Sequence, residues 1–259
     1  MLDHSSPFAT ALPPAAEPMS VLAFKRLRQA MIGVELIPGS IVGENELAER
    51  YELGRASVRV ALTRLACAGL VEARARHGWL VAPVTGLLIG EVLAARRSIE
   101  PSLAEVRLSP REGERLTALV GMNQILKGQG GSALVTARGN DRQILELLAQ
   151  HLDSLRMRWL GEAWDHSDRI DAWLGRAGSL RWPSDREALL VALLGGQAAD
   201  ARREIEADIG NFEMHAARSF VHSPMHFSVC QHDGAPHAAQ MRVSPSTTPA
   251  TAGKRKMMP

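Results

Sequence analysis

The sequence predicts a mainly α protein built in two parts, on three observations. Between residues 36 and 83, two short segments of helical apolar spacing flank a Glu52-Leu53-Gly54 break, and two strand-like segments around Arg76-His77-Gly78 follow. From Leu87 to about Phe220 apolar residues recur every three to four positions, with no strand-like alternation. Proline marks the ends of the chain, at Pro7, Pro13 and Pro14 and again at Pro224, Pro236, Pro245 and Pro249. These features predict an N-terminal winged helix-turn-helix domain (17–84) plus a C-terminal all-helical bundle (85–221). A flexible lead (1–16) and a disordered tail (222–259) complete the expected organisation.

In chain order, a first helix is expected over Met19 to Gly33, ended by Pro38-Gly39, since proline lacks an N–H and glycine tolerates positive φ. Glu44 to Tyr51 predicts a short helix with Leu47 and Ala48 inward. Gly54 suits a left-handed exit from it. A second helix starts near Arg55, where Val58, Leu62 and Leu65 form one apolar stripe and leave Arg55, Arg59 and Thr63 on the free face. Gly69 closes it. Leu70 to Ala75, a turn at 76–78 and Trp79 to Val81 then predict a two-stranded wing with Arg74, Arg76 and His77 at its tip.

Arginines at the start of a second helix match the geometry that places side chains against base edges in the DNA major groove. A basic wing tip suits a phosphate backbone or a minor groove. The DNA-binding set is therefore Glu44, Arg55, Ser57, Arg59, Thr63, Arg64, Arg74, Arg76, His77 and Gly78. Charge alone would not suggest nucleic acid. The net charge is +2, with 9 Lys and Arg against 6 Asp and Glu over residues 20–85, and 17 against 19 over residues 86–221.

The helical part is expected as helices over Leu87 to Glu105, Pro110 to Lys127, Ala133 to Leu160, Glu162 to Gly175, Ser184 to Gly195 and Ala198 to about Phe220. Trp159, Trp164, Trp173 and Trp182 either line a pocket or fill the core there. No apolar run approaches the roughly 18 residues a membrane span needs, and the N-terminus lacks a basic-then-apolar signal; a cytoplasmic protein with no membrane partner is expected. Two cysteines far apart argue against a disulfide framework, and Cys67 is expected as a small core residue. His222, His226, His232 and His237 fall in the tail, as does Lys254-Arg255-Lys256, which would add weak attraction to DNA. No Gly-rich phosphate loop, paired His/Cys spacing or nucleophile motif supports an enzyme.

Segment 36–83 resembles the winged-helix domain of bacterial GntR-type transcriptional regulators. It keeps Pro38-Gly39, ENELAERY (44–51), LGRASVRVAL (53–62), AGLV (68–71) and HGWLV (77–81). The resemblance places the family's two motif arginines on Arg55 and Arg59 and its wing glycine on Gly78. It departs at Gly54, Ser57 and Val60, where the family prefers serine, proline and glutamate. It implies a regulator, most often a repressor, bound to a double-stranded DNA operator as a homodimer.

ARRSIEPSLAE (95–105) and SDREALLVALLGGQAADARREIEADI (184–209) resemble the opening and closing helices of the FCD effector domain in the FadR subfamily. Metal-binding members hold a divalent cation with an aspartate and three histidines, and the cation receives an effector carboxylate. Those positions fall here on Asp141, Leu145, Arg186 and Asp208. Leucine has no lone pair and a guanidinium does not deprotonate to bind a cation, so no metal and no other cofactor is expected. Arg186 would instead form an ion-paired triad with the two aspartates, or offer its fork to a small acid; the alternative is a routine surface pair. The effector-binding set is Arg96, Asp141, Arg186 and Asp208. Either the helical domain senses a small carboxylate, or it is a ligand-insensitive dimerisation module.

Overall fold

The structure, a computed structural model, describes residues 18–221. The expected lead and tail, with the four tail histidines, Cys230 and the terminal basic triplet, lie outside the described residues. Among the described residues the chain is mostly helical, and its one sheet sits in the N-terminal part.

Helix α1 (Met19–Ile32) buries Ala23, Leu27, Ala30 and Met31, and the chain leaves it through Gly33 and Val34, the latter at φ 57°. Strand β1 (Ile41–Val42) precedes α2 (Glu44–Arg50), whose N-terminus is closed by Glu46 accepting from the Gly43 N–H at 3.3 Å. Leu47 and Ala48 point inward as expected. The turn after α2 departs from the sequence expectation: Glu52, at φ 53°, takes the left-handed position, while Gly54 is extended (φ −68°, ψ 135°). Two residues are needed between the left-handed corner and the next helix, so Gly54 becomes the residue that caps α3 (Arg55–Cys67). On α3 Val58, Ala61, Leu62 and Leu65 are fully buried. Cys67, expected inside, is exposed, because two residues past Leu65 it lies on the face of α3 opposite the apolar seam.

The wing is wider than the sequence suggested. Strands β2 (Val71–Arg74) and β3 (Gly78–Val81) pair antiparallel with Val71 opposite Val81 and Arg74 opposite Gly78. β1 adds to the other edge of β3, Ile41 opposite Leu80, giving the order β1-β3-β2. Two residues carry too little alternation to announce a strand; only pairing with β3 makes one.

The second part follows as α4 (Gly86–Ile99), a 3₁₀ turn at Glu100–Glu105, α5 (Pro110–Leu126), α6 (Gly131–Ala149), α7 (Ser154–Arg176), α8 (Glu187–Leu194) and α9 (Ala198–Val221). Three expected boundaries move. The helix expected to reach Glu105 tightens after Ile99, where Pro101 supplies no N–H for an α-helical bond. The helix expected over Ala133 to Leu160 breaks at 150–153, because the Asp153 carboxylate accepts the Leu155 and Arg156 N–H groups and starts a new helix. That helix then runs through Gly161 to Arg176 as one piece. α8 begins at Glu187, so Arg186 is its capping residue rather than an interior one.

Buried apolar side chains form two separate clusters, one from Ala23 to Val81 and one from Ile89 to Ala216. Of the four tryptophans only Trp164 is core; Trp159 is exposed and Trp173 and Trp182 are half-buried. Each fully buried leucine stabilises its cluster by roughly 1.5–3 kcal/mol. Between the clusters, α7 supplies polar contacts.

Candidate nucleic-acid interface and a buried charge network

The first turn of α3 is the exposed end of the winged helix. Arg55 and Arg59 are exposed there and Ser57 is half-buried. Arg59 is not loose: its Nε donates to both Glu44 oxygens at 3.1 and 3.0 Å, and its Nη2 to Oε2 at 2.7 Å. Trp79 of β3 donates to the same carboxylate at 3.4 Å. The bond from Arg59 holds the Glu44 carboxyl below its ordinary range, so the pair stays ionised near neutrality. Glu44, at the start of α2, thus braces an arginine of α3 whose side chain stays 68% exposed.

The other expected residues divide. Thr63 is exposed and spends its hydroxyl on the Arg59 carbonyl at 2.9 Å. The Arg64 guanidinium lies 4.1 Å from the Phe24 ring centroid, so it is turned toward α1. Arg74, Arg76 and His77 are exposed at the wing, with Arg74 bridging Glu72 at 3.2 Å. Arg76 sits at φ 66° and Gly78 at φ 98°. At Gly78 a side chain has no room: a Cβ would lie 2.6 Å from the Val42 carbonyl oxygen of β1. The family's wing glycine therefore has a local reason, the close approach of β1 to β3.

The second candidate site is interior. Arg186, 5% exposed, donates through Nε to Asp141 Oδ1 at 2.8 Å and through Nη2 to Asp141 Oδ2 and Asp208 Oδ2, both at 3.2 Å. Arg96 donates to Glu100 at 2.6 and 3.1 Å and to Asp208 at 2.8 Å. Ser184 donates to the second Asp208 oxygen. Arg181 grips Asp171 at 2.6 Å. Burial alone would raise the Asp208 carboxyl, but Arg186 and Arg96 outweigh it and hold it well below the usual carboxylate range. Arg96, Asp141, Arg186 and Asp208 are thus one contiguous cluster, and the surface-pair alternative for Arg186 fails on its burial.

Sequence reasoning missed Glu100, Arg142, Asp165 and Asp168. Arg142 reaches Asp165 at 2.6 Å, Asp168 at 3.1 Å and Glu146 at 2.8 Å. Burial, with Asp171, Asp165 and Asp141 nearby, pushes the Asp168 carboxyl up to about 6 against the pull of Arg142. A narrow crevice of about 30 Å³, room for about two waters, lies among these groups, lined by Arg96, Arg142, Trp164, Asp168, Arg181 and Arg186 among others. Their signal was available only as charge at helical spacing on α6 and α7, which equally describes a solvated face.

Residues 22–81 match the model of the gntR family of bacterial regulatory proteins. The match spans the winged-helix domain. An uncharacterised HTH-type transcriptional regulator from an unstable DNA locus of Streptomyces ambofaciens is 34% identical over 77 residues, 30% of this chain; the chain spans about a third (33%) of that curated relative. The fold of the longer chain is similar to that of E. coli McbR/YncC, at TM-score 0.65 and 18% identity over 79% of this chain and 98% of that one. It is also similar to a GntR transcriptional regulator from Rhodococcus sp. RHA1, at TM-score 0.60 and 19% identity over 78% and 98%.

Within the gntR domain, the departures from the family pattern have visible consequences. Gly54 provides no side chain to cap α3, so the first-turn amides of that helix lack the partner a serine would give. Val60, where glutamate is preferred, is 48% exposed. In the helical part, the four positions that resemble a family metal site do not fit a divalent cation. Leu145 offers no donor, and the Arg186 guanidinium already satisfies both aspartates.

Proposed function

We propose that this protein is a sequence-specific DNA-binding transcriptional regulator, a repressor, acting as a homodimer on a two-fold operator in the cytoplasm. The observation that carries the reading is the exposed first turn of α3, where Arg55 and a carboxylate-braced Arg59 stand free in a gntR-family domain. Such arginines bond guanine in bidentate fashion, and a brace that fixes the fork before contact favours base discrimination. Arg74, Arg76 and His77 on the wing add phosphate contacts that carry no sequence information. The reading proposes no enzyme and no metal or other cofactor.

The experiment is a pair of substitutions measured on operator DNA selected from random sequence. Arg59→Ala weakens binding at the preferred sequence by roughly 10-fold or more and relaxes base preference. Arg76→Ala weakens all sequences alike and lowers the salt slope by about 1. Unchanged selectivity in Arg59→Ala overturns the assignment of α3.

For the FCD-like helical domain, the arginine-rich crevice supports a small carboxylate effector read by Arg96, Arg142 and Arg186. A second reading rests on a specific observation: Arg186 borders three small crevices of about 30, 20 and 10 Å³ and already neutralises Asp141 and Asp208. Its own side chain would then serve as a permanent occupant, leaving a ligand-insensitive dimerisation module. A thermal-shift screen of small carboxylic acids separates the two, since only a sensor is stabilised by one of them.

A further inference from the structure

Among the described residues, four side chains on the inner side of α7 hydrogen-bond the gntR domain. Asp165 accepts both fork nitrogens of Arg28 on α1, through Nε at 2.6 Å and through Nη2. The other three engage backbone carbonyls. His166 Nε2 donates to the Ala68 oxygen at 3.0 Å, Arg169 to the Ala82 oxygen, and Arg176 to the Val34 oxygen at 3.1 Å. Those carbonyls lie at the end of α3, just past β3, and at the exit of α1. The helix therefore grips the three elements that set the position of the DNA-reading face, and it does so whatever side chains they carry.

Two features weaken this grip. Among the described residues no buried apolar cluster crosses the contact, so it lacks the large hydrophobic burial that makes domain interfaces permanent. Arg169 is fully buried, yet among the described residues its Nε and Nη1 have no partner, and no carboxylate accepts from it. A buried guanidinium with two unmet donors is costly, and parting the domains would return both to water. Asp165, by contrast, favours contact, and it is shared. The same Oδ1 that accepts from Arg28 accepts Arg142 Nη2 at 2.6 Å, and Arg142 lines the charged crevice.

We propose that α7 is a latch between the two domains, held shut by Arg28–Asp165, weakened by the unmet Arg169, and tuned by Arg142. Arg142 and Arg28 compete for one carboxylate and repel each other, so whatever draws Arg142 toward the crevice tightens the grip on α1. The sign follows from charge alone. The latch goes beyond the proposed regulator, because it holds whether or not the crevice takes a ligand.

Hydrogen exchange on the full chain in the absence of DNA tests it, read at amides 33–36, 68–70 and 82–86, with α8 as the internal standard of intact folding. Asp165→Asn and Arg28→Gln each speed exchange in all three segments by at least about 10-fold and leave α8 unchanged. Arg169→Met keeps the buried stem and removes the two unmet donors together with the bond to Ala82, so exchange slows at 33–36 and 68–70, away from that bond. Arg142→Gln also slows it. Faster exchange in Arg169→Met or in Arg142→Gln overturns the weakening or the coupling respectively, and no response to either Asp165→Asn or Arg28→Gln overturns the latch. None of these readouts depends on operator binding, so the latch and the regulatory reading fail separately.

Discussion

Replacing Arg186 by methionine removes the guanidinium and keeps an unbranched stem of similar reach. The structure sets the size of the effect. Asp141 loses both of its bonds, at 2.8 and 3.2 Å, while Asp208 loses one and keeps Arg96 at 2.8 Å and Ser184. Removing one partner of a buried pair costs about 3–5 kcal/mol, because the other charge stays behind. The retained partners of Asp208 place this case near the lower figure. For a chain of this size about 3 kcal/mol lowers Tm by roughly 6–12 °C. The deficit depends on pH in a fixed direction. The folded Asp208 carboxyl lies below its unfolded value, so its contribution is present above about pH 4 and is lost as pH falls further. The gap between wild type and Arg186→Met therefore narrows on acidification, and adding Asp141→Asn restores part of the loss at pH 7. Calorimetry at pH 7 and at about pH 3, below the unfolded carboxylate value, measures this. A Tm change under 2 °C at pH 7, or no coupling with Asp141→Asn, would mean Arg186 is not what holds the network together.

Three further outcomes are expected. Glu44→Gln leaves the fold intact but releases the Arg59 fork, lowering operator affinity by about 10-fold and blurring base preference, as titration against single-base operator variants shows. Gly78→Ala places a Cβ 2.6 Å from the Val42 oxygen at φ 98°, so it destabilises by about 1–3 kcal/mol in urea unfolding and displaces the wing. Burial holds His166 below its ordinary pKa of 6.5, and its Nε2–H donates to Ala68 while Nδ1 lacks a partner among the described residues. Its contribution is thus present above pH 6.5 and lost as pH falls below that value; stability of His166→Gln against pH is flatter over pH 5 to 7.

The winged helix was legible because its determinants are local. Val58, Leu62 and Leu65 at helical spacing fix which face of α3 is inward, and Arg55 and Arg59 are left outside by subtraction. The gntR-family pattern gave Gly78 its place, though its reason, the approach of Val42, depends on a strand two residues long that has no pattern of its own. The same limit explains Gly54. A left-handed residue was needed in that turn, and Glu52 rather than the glycine supplies it once α3 must start at Arg55.

In the helical part, sequence spacing predicted the helices at Pro110 and at Ala198 but not the break at Asp153, where one carboxylate capping two amides outweighs continuous helical periodicity. Charge pairing was legible only where the resemblance aligned Asp141, Arg186 and Asp208. Glu100, Arg142, Asp165 and Asp168 look, along the chain, like members of a solvated helical face. Local periodicity and turn chemistry thus determined the helices, the wing and the exposed arginines of α3. Tertiary structure alone decided which charges are interior and which helix joins the two domains, because an ion pair 137 residues apart, such as Arg28 with Asp165, is set by how helices pack and leaves no period in the sequence.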